Sequence, residues 1–548
     1  MNIGELEIDQ AISSWLKEYG GENVSIASVL CDRYASMPGK IALCYENEKG
    51  DSLQLTYAQL SAYSSRMAGF LKYIGVRKGD RVAVMLPKTT EMVIIALAIW
   101  RLGAVYVPLF TAFGPEAINY RLQDSGARLL VTDTDNRMKI SMTDEKNDKD
   151  FRIITVTDPQ GNGLIKGDFS FWHELESADY VNQTVKVSGN DTFVLIYSSG
   201  TTGHPKGCEI PVRCLAAFEA YMRFGLDLRE DDVYWNIADP GWAYGLYYNL
   251  IGALLVGKTI LFYHAPFNPS GVYQFMEKYG VTNVTGAPTA YKVLIGAGEE
   301  MASQANLSLR VLSSAGEPLN PQVIKWAKKI WGLPIYDHYG QTEGGMMLNN
   351  HHLPCLEKNI KLGSMGQPMP GYRMVVLNSA EKELLSGEEG ELAIDLAKSP
   401  LFGFRRYWRN EKDTKERYTK DGHYYLTGDV ARFDEDGHFY FVGRSDDIIL
   451  SAGYRIGPFE VENVLMQHEA VLEAAVIGIP DELRGEIIKG FVVLKQGTYN
   501  KEALTRELKG YIKKQLSAHA YPRQIEFVDQ IPRTSSGKIQ RYLLRKAN

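Results

Sequence analysis

Cysteine is scarce and scattered. Its five copies in 548 residues, Cys31, Cys44, Cys208, Cys214 and Cys355, are odd in number and form no CxxC pair. That spacing excludes a disulfide framework, offers no zinc-ligand pattern and suits a reducing compartment. Long apolar runs are missing too. The longest, residues 92–100, is about half of the roughly 20 residues a membrane-spanning helix needs. The N-terminus MNIGELEIDQ is acidic and lacks the basic and apolar regions of a secretory signal. A cytoplasmic protein without membrane insertion is expected. Positive charge is not in excess either: the net charge of −6 leaves no basic footprint for nucleic acid. No internal repeat or low-complexity tract is present.

What remains is an ordinary globular composition, 45% hydrophobic and 23% charged, in a chain too long for one core. From residue 55 onward helical and strand patterns alternate. Residues 57–74 have helical spacing, 81–86 read as a strand closed by Pro87, 92–102 as a helix ended by Gly103, and 105–108 as the next strand. Strands at 129–131 and 153–156 continue the series, and 193–197, 259–263, 281–285 and 311–314 resume it. Such alternation predicts parallel sheets covered by helices. The charged stretch 143–150 is expected to be an exposed loop. Near residue 360 the character changes to short β-like runs between Gly, Pro and acidic turns, the pattern of a small β-barrel or sheet module at about 360–441. A mixed pattern follows, with helices at 458–467 and 501–516 and strands at 474–479, 489–494 and 525–528. Its length of about 100 residues suits an independent small domain.

Five segments carry chemistry. The first, YSSGTTGHPKG at residues 197–207, follows the apolar run FVLIY and so sits at a strand's carboxyl end, where open α/β sheets bind ligands. Its glycines Gly200 and Gly203 let the backbone curl. Ser198, Ser199, Thr201, Thr202 and Lys206 supply hydroxyls and an ammonium for a polyphosphate. It is not the GxxxxGK[ST] loop, since Gly207 follows the lysine; the alternative is a solvated turn. The second presents Gln341, Thr342 and Glu343 on a Gly-flanked turn after Tyr336. A carboxylate beside a hydroxyl suits Mg²⁺ held together with a phosphate oxygen, against a polar loop with a capping threonine. Third, Asp429 behind Gly428 could accept both hydroxyls of a ribose or simply belong to a Gly-Asp turn. Fourth, GRSDD at 443–447 lies where the patterns change and is either a hinge or a salt-bridged linker. Fifth, PRTSSGK places Lys538 on a Gly/Ser turn, where an isolated lysine is ordinarily just solvated.

In this order and at these separations the five resemble the adenylate-forming superfamily of acyl-CoA synthetases, peptide-synthetase adenylation domains and firefly-type luciferases. The likeness spans nearly the whole chain. DPGWAY at 239–244 and SAGEP at 314–318 make it most similar to the acetyl-CoA and medium-chain acyl-CoA synthetases. The resemblance implies an α/β fold: a large domain, 1–445, of two parallel-sheet subdomains plus the β-barrel, then a small mobile α+β domain, 446–548. It implies that a carboxylic acid reacts with ATP and Mg²⁺ to give acyl-AMP and pyrophosphate, and that coenzyme A then displaces AMP. Phosphoryl chemistry of this kind asks chiefly for positioning and charge neutralisation.

By the same resemblance Ser198 to Lys206 would cradle the β- and γ-phosphates. Thr342 would touch the α-phosphate and Glu343 would hold Mg²⁺. Gly316, Glu317 and Pro318, with Asp337, His338, Tyr339, Gly340 and Gln341, would enclose the nucleotide. Asp429 and Arg444 would take the ribose, and Arg455 would lie near the AMP phosphate. Lys538 would serve adenylation, Asp446 would be the hinge, and Gly453 would border the CoA thiol's path.

Trp242 would line the acid pocket, with a core aromatic as the alternative. Acetate-selective relatives carry Trp where this chain has Gly340. Loss of an indole is expected to admit several methylenes, each worth about 0.8 kcal/mol, and so a short- to medium-chain, branched or aryl acid rather than acetate. The alternatives are an acetate-specific enzyme or one that loads a carrier protein's phosphopantetheine. A non-catalytic nucleotide binder is disfavoured by the joint presence of Glu343, Asp429 and Lys538.

Overall fold

The computed structural model describes residues 5–140, 151–158, 161–181, 183–198, 205–451, 454–481, 484–516, 520–533 and 538–546. The charged stretch 143–150 and the loop residues Ser199, Gly200, Thr201, Thr202 and Gly203 lie outside them, as does Gly453.

Two α/β units form the bulk of the chain. In the first, strands run in the order Phe169–Ser170, Arg152–Val156, Leu129–Asp133, Arg81–Met85, Val105–Pro108, Thr192–Ser198, Lys206–Pro211. All neighbours are parallel except the last pair. The apolar runs at 81–85 and 129–131 are buried on both faces, as parallel strands require. The helix Thr90–Arg101 is apolar nearly all round and buried at every position except Glu91, so it packs inside the layers rather than on their surface. The helix Tyr57–Tyr73 starts at a capping box in which Thr56 Oγ1 accepts from Gln59 N and Gln59 Oε1 accepts from Thr56 N.

The second sheet begins with four parallel strands, Tyr234–Asn236, Asn283–Gly286, Val311–Ala315 and Tyr336–Gln341. It then continues antiparallel through Gly345–Asn349, Ser364–Pro368, Phe439–Arg444, Tyr424–Phe433, Gly390–Asp395 and Met374–Leu377. The β-rich region expected near 360–441 is thus hydrogen-bonded edge to edge onto the four parallel strands, in one ten-stranded sheet. The strand Ile260–His264 leaves its series. It pairs in parallel with Ile41–Asn47, which also pairs with Ser52–Thr56, in a small third sheet.

The C-terminal segment has its own sheet, with Tyr454–Ile456, Ile449–Ser451, Gly485–Leu494 and Val471–Asp481 antiparallel and Gln524–Phe527 added in parallel. The helices Pro458–Met466 and Lys501–Gln515 give Val461, Leu465, Leu508 and Ile512 to a core shared with Val476 and Val492. Together they make a small α+β unit behind the large α/β one.

Candidate active site

A cavity of about 1240 Å³ opens where these units meet. Phe110 and Phe113, just past a carboxyl end of the first sheet, line it together with Ser198 and Lys206. From the second sheet come Gly316 and the run Asp337 to Glu343, and from the antiparallel extension come Asp429 and Arg444. Lys538 reaches the same cavity from the C-terminal unit.

One expected turn is present but shorter than expected, and another proves to be strand. Asp337 to Gln341 lie in Tyr336–Gln341, because the buried GMMLN strand at Gly345–Asn349 pairs with it, and only residues 342–344 turn. Asp429 likewise sits within Tyr424–Phe433, with Gly428 at φ +76° marking a local irregularity rather than a chain reversal. Its carboxylate is a hub. Oδ2 accepts from Tyr339 Oη and from Gln341 Nε2 (2.8 Å), and Oδ1 from Arg444 Nη1 (2.9 Å). Arg444 also stands 3.5 Å from Asp446.

On the wall that carries Lys206, Glu343 is buried and its Oε1 accepts from Tyr407 Oη at 2.7 Å. Arg417 Nε in turn donates to Tyr407 Oη at 3.2 Å. Lys206 pairs with Asp413 at 2.6 Å and lies 5.3 Å over the Tyr407 ring. Thr342 is anchored through its carbonyl, which accepts from Tyr247 Oη at 3.0 Å. Tyr407, Asp413 and Arg417 escaped the sequence argument because their stretch, 405–417, has no glycine-rich loop; its interleaved aromatic and basic residues were the available signal. Among the described residues no group of three or more His, Cys, Asp or Glu side chains gathers to hold a metal. Glu343 offers one carboxylate on this wall, while Asp413 is held by Lys206. That donor set fits an ion such as Mg²⁺, which arrives with phosphate oxygens and keeps several waters.

Two carboxylates of the expected adenine wall are left with unmet capacity. Asp337 Oδ1 and Glu317 Oε1 are buried without a hydrogen-bond partner, although Asp337 Oδ2 accepts from Leu319 N at 3.2 Å. Burial pushes the Asp337 carboxyl up to about 8. It also raises Glu317, against the opposing pull of Arg533, Lys292 and Lys538. The Asp337 contribution to stability is complete below its ordinary value of 3.8 and is lost as pH rises through about 8. Asp337→Asn should therefore gain Tm relative to wild type as pH rises from about 5 to about 8, and the gain should level above that. A Tm difference independent of pH, measured on ligand-free protein, would show that Asp337 is ionised in the fold.

Trp242 packs against Phe110 (5.3 Å) and Phe113 (5.6 Å) and faces the cavity rather than a closed core. Gly340 lines the cavity too, but a Cβ there would lie 2.2 Å from Gly345 O and 2.8 Å from Met346 Sδ. The hairpin itself demands this glycine, so the expectation of an indole-sized void is corrected. The space is bounded by Ala243, Tyr244 and Met346. Arg455 falls in the short strand Tyr454–Ile456.

Buried carboxylates, a cluster of cations and an aromatic-lined recess thus share one cavity. The family model "AMP-binding enzyme" matches residues 31–408, and "AMP-binding enzyme C-terminal domain" matches 460–538. The acetyl-coenzyme A synthetase of Bacillus subtilis (strain 168) is 37% identical over 94% of this chain and 89% of its own length. The mitochondrial acyl-coenzyme A synthetase ACSM4 of Homo sapiens is 34% identical over 96% and 90%. The crystal structure of Brucella canis acyl-CoA synthetase superposes with a TM-score of 0.78 at 46% identity, covering 100% of this chain and 98% of that one. The chain belongs to the AMP-binding enzyme family, among its AMP-forming acid–CoA ligases. This is the superfamily its motifs resemble. Among the described residues no helix is long and apolar enough to cross a membrane.

Proposed function

We propose that this chain converts a carboxylic acid larger than acetate, ATP and coenzyme A into acyl-CoA, AMP and pyrophosphate by way of acyl-AMP. One observation carries the assignment: Lys538 from the C-terminal unit lines the same cavity as Thr342, Glu343, Asp429 and Trp242. The acid's carboxylate would lie beside Trp242 and Thr342, in line with the α-phosphate. Lys206 and Arg417 would neutralise the departing phosphates, and Lys538 the charge that develops at the reacting oxygens, by electrostatic positioning rather than covalent chemistry. Asp337 and Glu317 offer buried acceptors suited to an exocyclic amine. Asp429 would exchange part of its hub for the ribose hydroxyls, with Arg444 keeping the carboxylate oriented. Thr342 and Glu343 would hold Mg²⁺, which would shield the polyphosphate charge. After the first step the C-terminal unit would turn about Asp446, near a domain division at 445/446, to admit the CoA thiol past Gly453, with Arg455 near the AMP phosphate.

The preference for an acid larger than acetate rests on the small side chain of Ala243 at the pocket wall. The relatives' names divide between acetyl- and acyl-coenzyme A synthetases. Acid-dependent pyrophosphate release across a series from acetate to octanoate and benzoate tests the assignment. We expect kcat/KM to peak beyond acetate, with free CoA accepted in the second step. A peak at acetate, or turnover with a holo-carrier protein but not CoA, would replace this assignment with one of its two rivals.

A further inference from the structure

Phenols form part of the acyl-pocket wall, and the hydrogen of one of them, Tyr244, can be placed. His338 is fully buried, and its Nε2 lies 3.0 Å from the carbonyl oxygen of Asn350. A carbonyl only accepts, so Nε2 carries the proton. Asn350 is itself fixed, since its Nδ2 donates to the carbonyls of Asp337 (2.8 Å) and Ser364 (3.0 Å). Burial pushes the imidazole down to about 3, so it is neutral and its Nδ1 is bare. Tyr221 Oη, 2.8 Å from Nδ1, must then donate to it. With that hydrogen committed, Tyr221 Oη can only accept from Tyr244 Oη, 3.2 Å away. The Tyr244 hydrogen therefore points away from the cavity, and its oxygen lone pair is what the ring presents.

Tyr244 is only partly buried and lines the cavity. The other two phenols on this wall are tied to the backbone, Tyr247 by donating to Thr342 O and Tyr248 by accepting from Met346 N. Thr285, the further hydroxyl behind Tyr244, is hydrogen-bonded with Tyr234 at 3.2 Å and also interacts with the Tyr244 oxygen. The neighbouring lining residues Ala243, Gly340 and Met346 offer no side-chain donor.

We propose that Tyr244 is a specificity residue whose oxygen acts as an obligate acceptor in the acyl pocket, and that the preferred acid carries a neutral donor, a hydroxyl or an aromatic amine, on the part of the molecule remote from its carboxylate. This rests on the acid-activation function proposed above. A site built around a fixed acceptor discriminates against a substrate that sets an apolar group against it.

The test compares matched acids, 5-hydroxyvalerate with hexanoate and 4-aminobenzoate with 4-methylbenzoate, by acid-dependent pyrophosphate release. In the wild type kcat/KM should favour the donor-bearing member of the accepted pair by about 10- to 100-fold. Tyr244→Phe should bring that ratio to about one. Tyr221→Phe leaves the pocket surface unchanged but frees the Tyr244 hydrogen to turn inward, so the ratio should fall and a keto-acid of the same length should gain. A wild type that prefers the methyl partner, a ratio that survives Tyr244→Phe, or one that Tyr221→Phe leaves intact overturns this inference alone. Absence of pyrophosphate release with every acid overturns the acid-activation function with it.

Discussion

Replacing Lys538 by alanine is expected to lower acid-dependent pyrophosphate release by roughly 100- to 1000-fold, the usual effect of removing one preorganised charge from a transition state. Thioester formation from supplied acyl-AMP and CoA should fall far less. The asymmetry follows from where the lysine sits. Lys538 is exposed on the C-terminal unit and reaches the cavity across the gap between units, on the side of Glu317, whose buried carboxyl feels both Lys538 and Arg533. On the proposed turn about Asp446, a group delivered in this way would act only while its unit faces the nucleotide, and the second half-reaction would use a different face. Measuring the two half-reactions separately decides the matter. Equal losses in both would mean that Lys538 supports the fold or binding generally, and the turning of the unit would have to be abandoned.

The second large effect concerns Gly340. Even alanine there brings a carbon to 2.2 Å of Gly345 O and 2.9 Å of its carbonyl carbon, and backbone atoms in a paired hairpin cannot step aside as a flexible side chain can. Gly340→Ala should cost about 1–3 kcal/mol of stability by overpacking. It should also lower activity beyond that loss, because Thr342 and Glu343 occupy the turn that this pairing shapes. Gly340→Trp should therefore yield a damaged enzyme rather than an acetate-selective one. Denaturant midpoints and pyrophosphate release with acetate and hexanoate check both variants. A stable Gly340→Ala with wild-type turnover would show that the hairpin opens to accommodate the side chain.

The contrast between these residues shows what the sequence could disclose. The strand Thr192–Ser198 was legible because FVLIY is continuous and apolar and a Gly/Ser/Thr run follows at once. Lys538, Asp429 and Glu343 were legible as members of an ordered set. Gly340 was legible as a cavity residue but not as a hairpin requirement, since the neighbour that forbids a side chain is a carbonyl across a bulge. The Asp429 hub joins residues up to 90 positions apart, and only sheet register brings Tyr339 and Gln341 to it. The pairing of Ile260–His264 with Ile41–Asn47 is longer still in sequence separation and left no local signature. Periodicity reports which face of an element is buried, not which element covers it. The Tyr244–Tyr221–His338 chain was invisible for the same reason, being assembled from three different elements.

The sheet of the C-terminal unit shares no strand pairing with the ten-stranded sheet among the described residues, and its helices close a separate core around Val461 and Leu508. Heat or denaturant is therefore expected to act on two cooperative bodies, joined by the chain around residues 444–448 and by side-chain contacts. A substitution in either core is felt first in the body that contains it, and no single unfolding free energy describes the molecule.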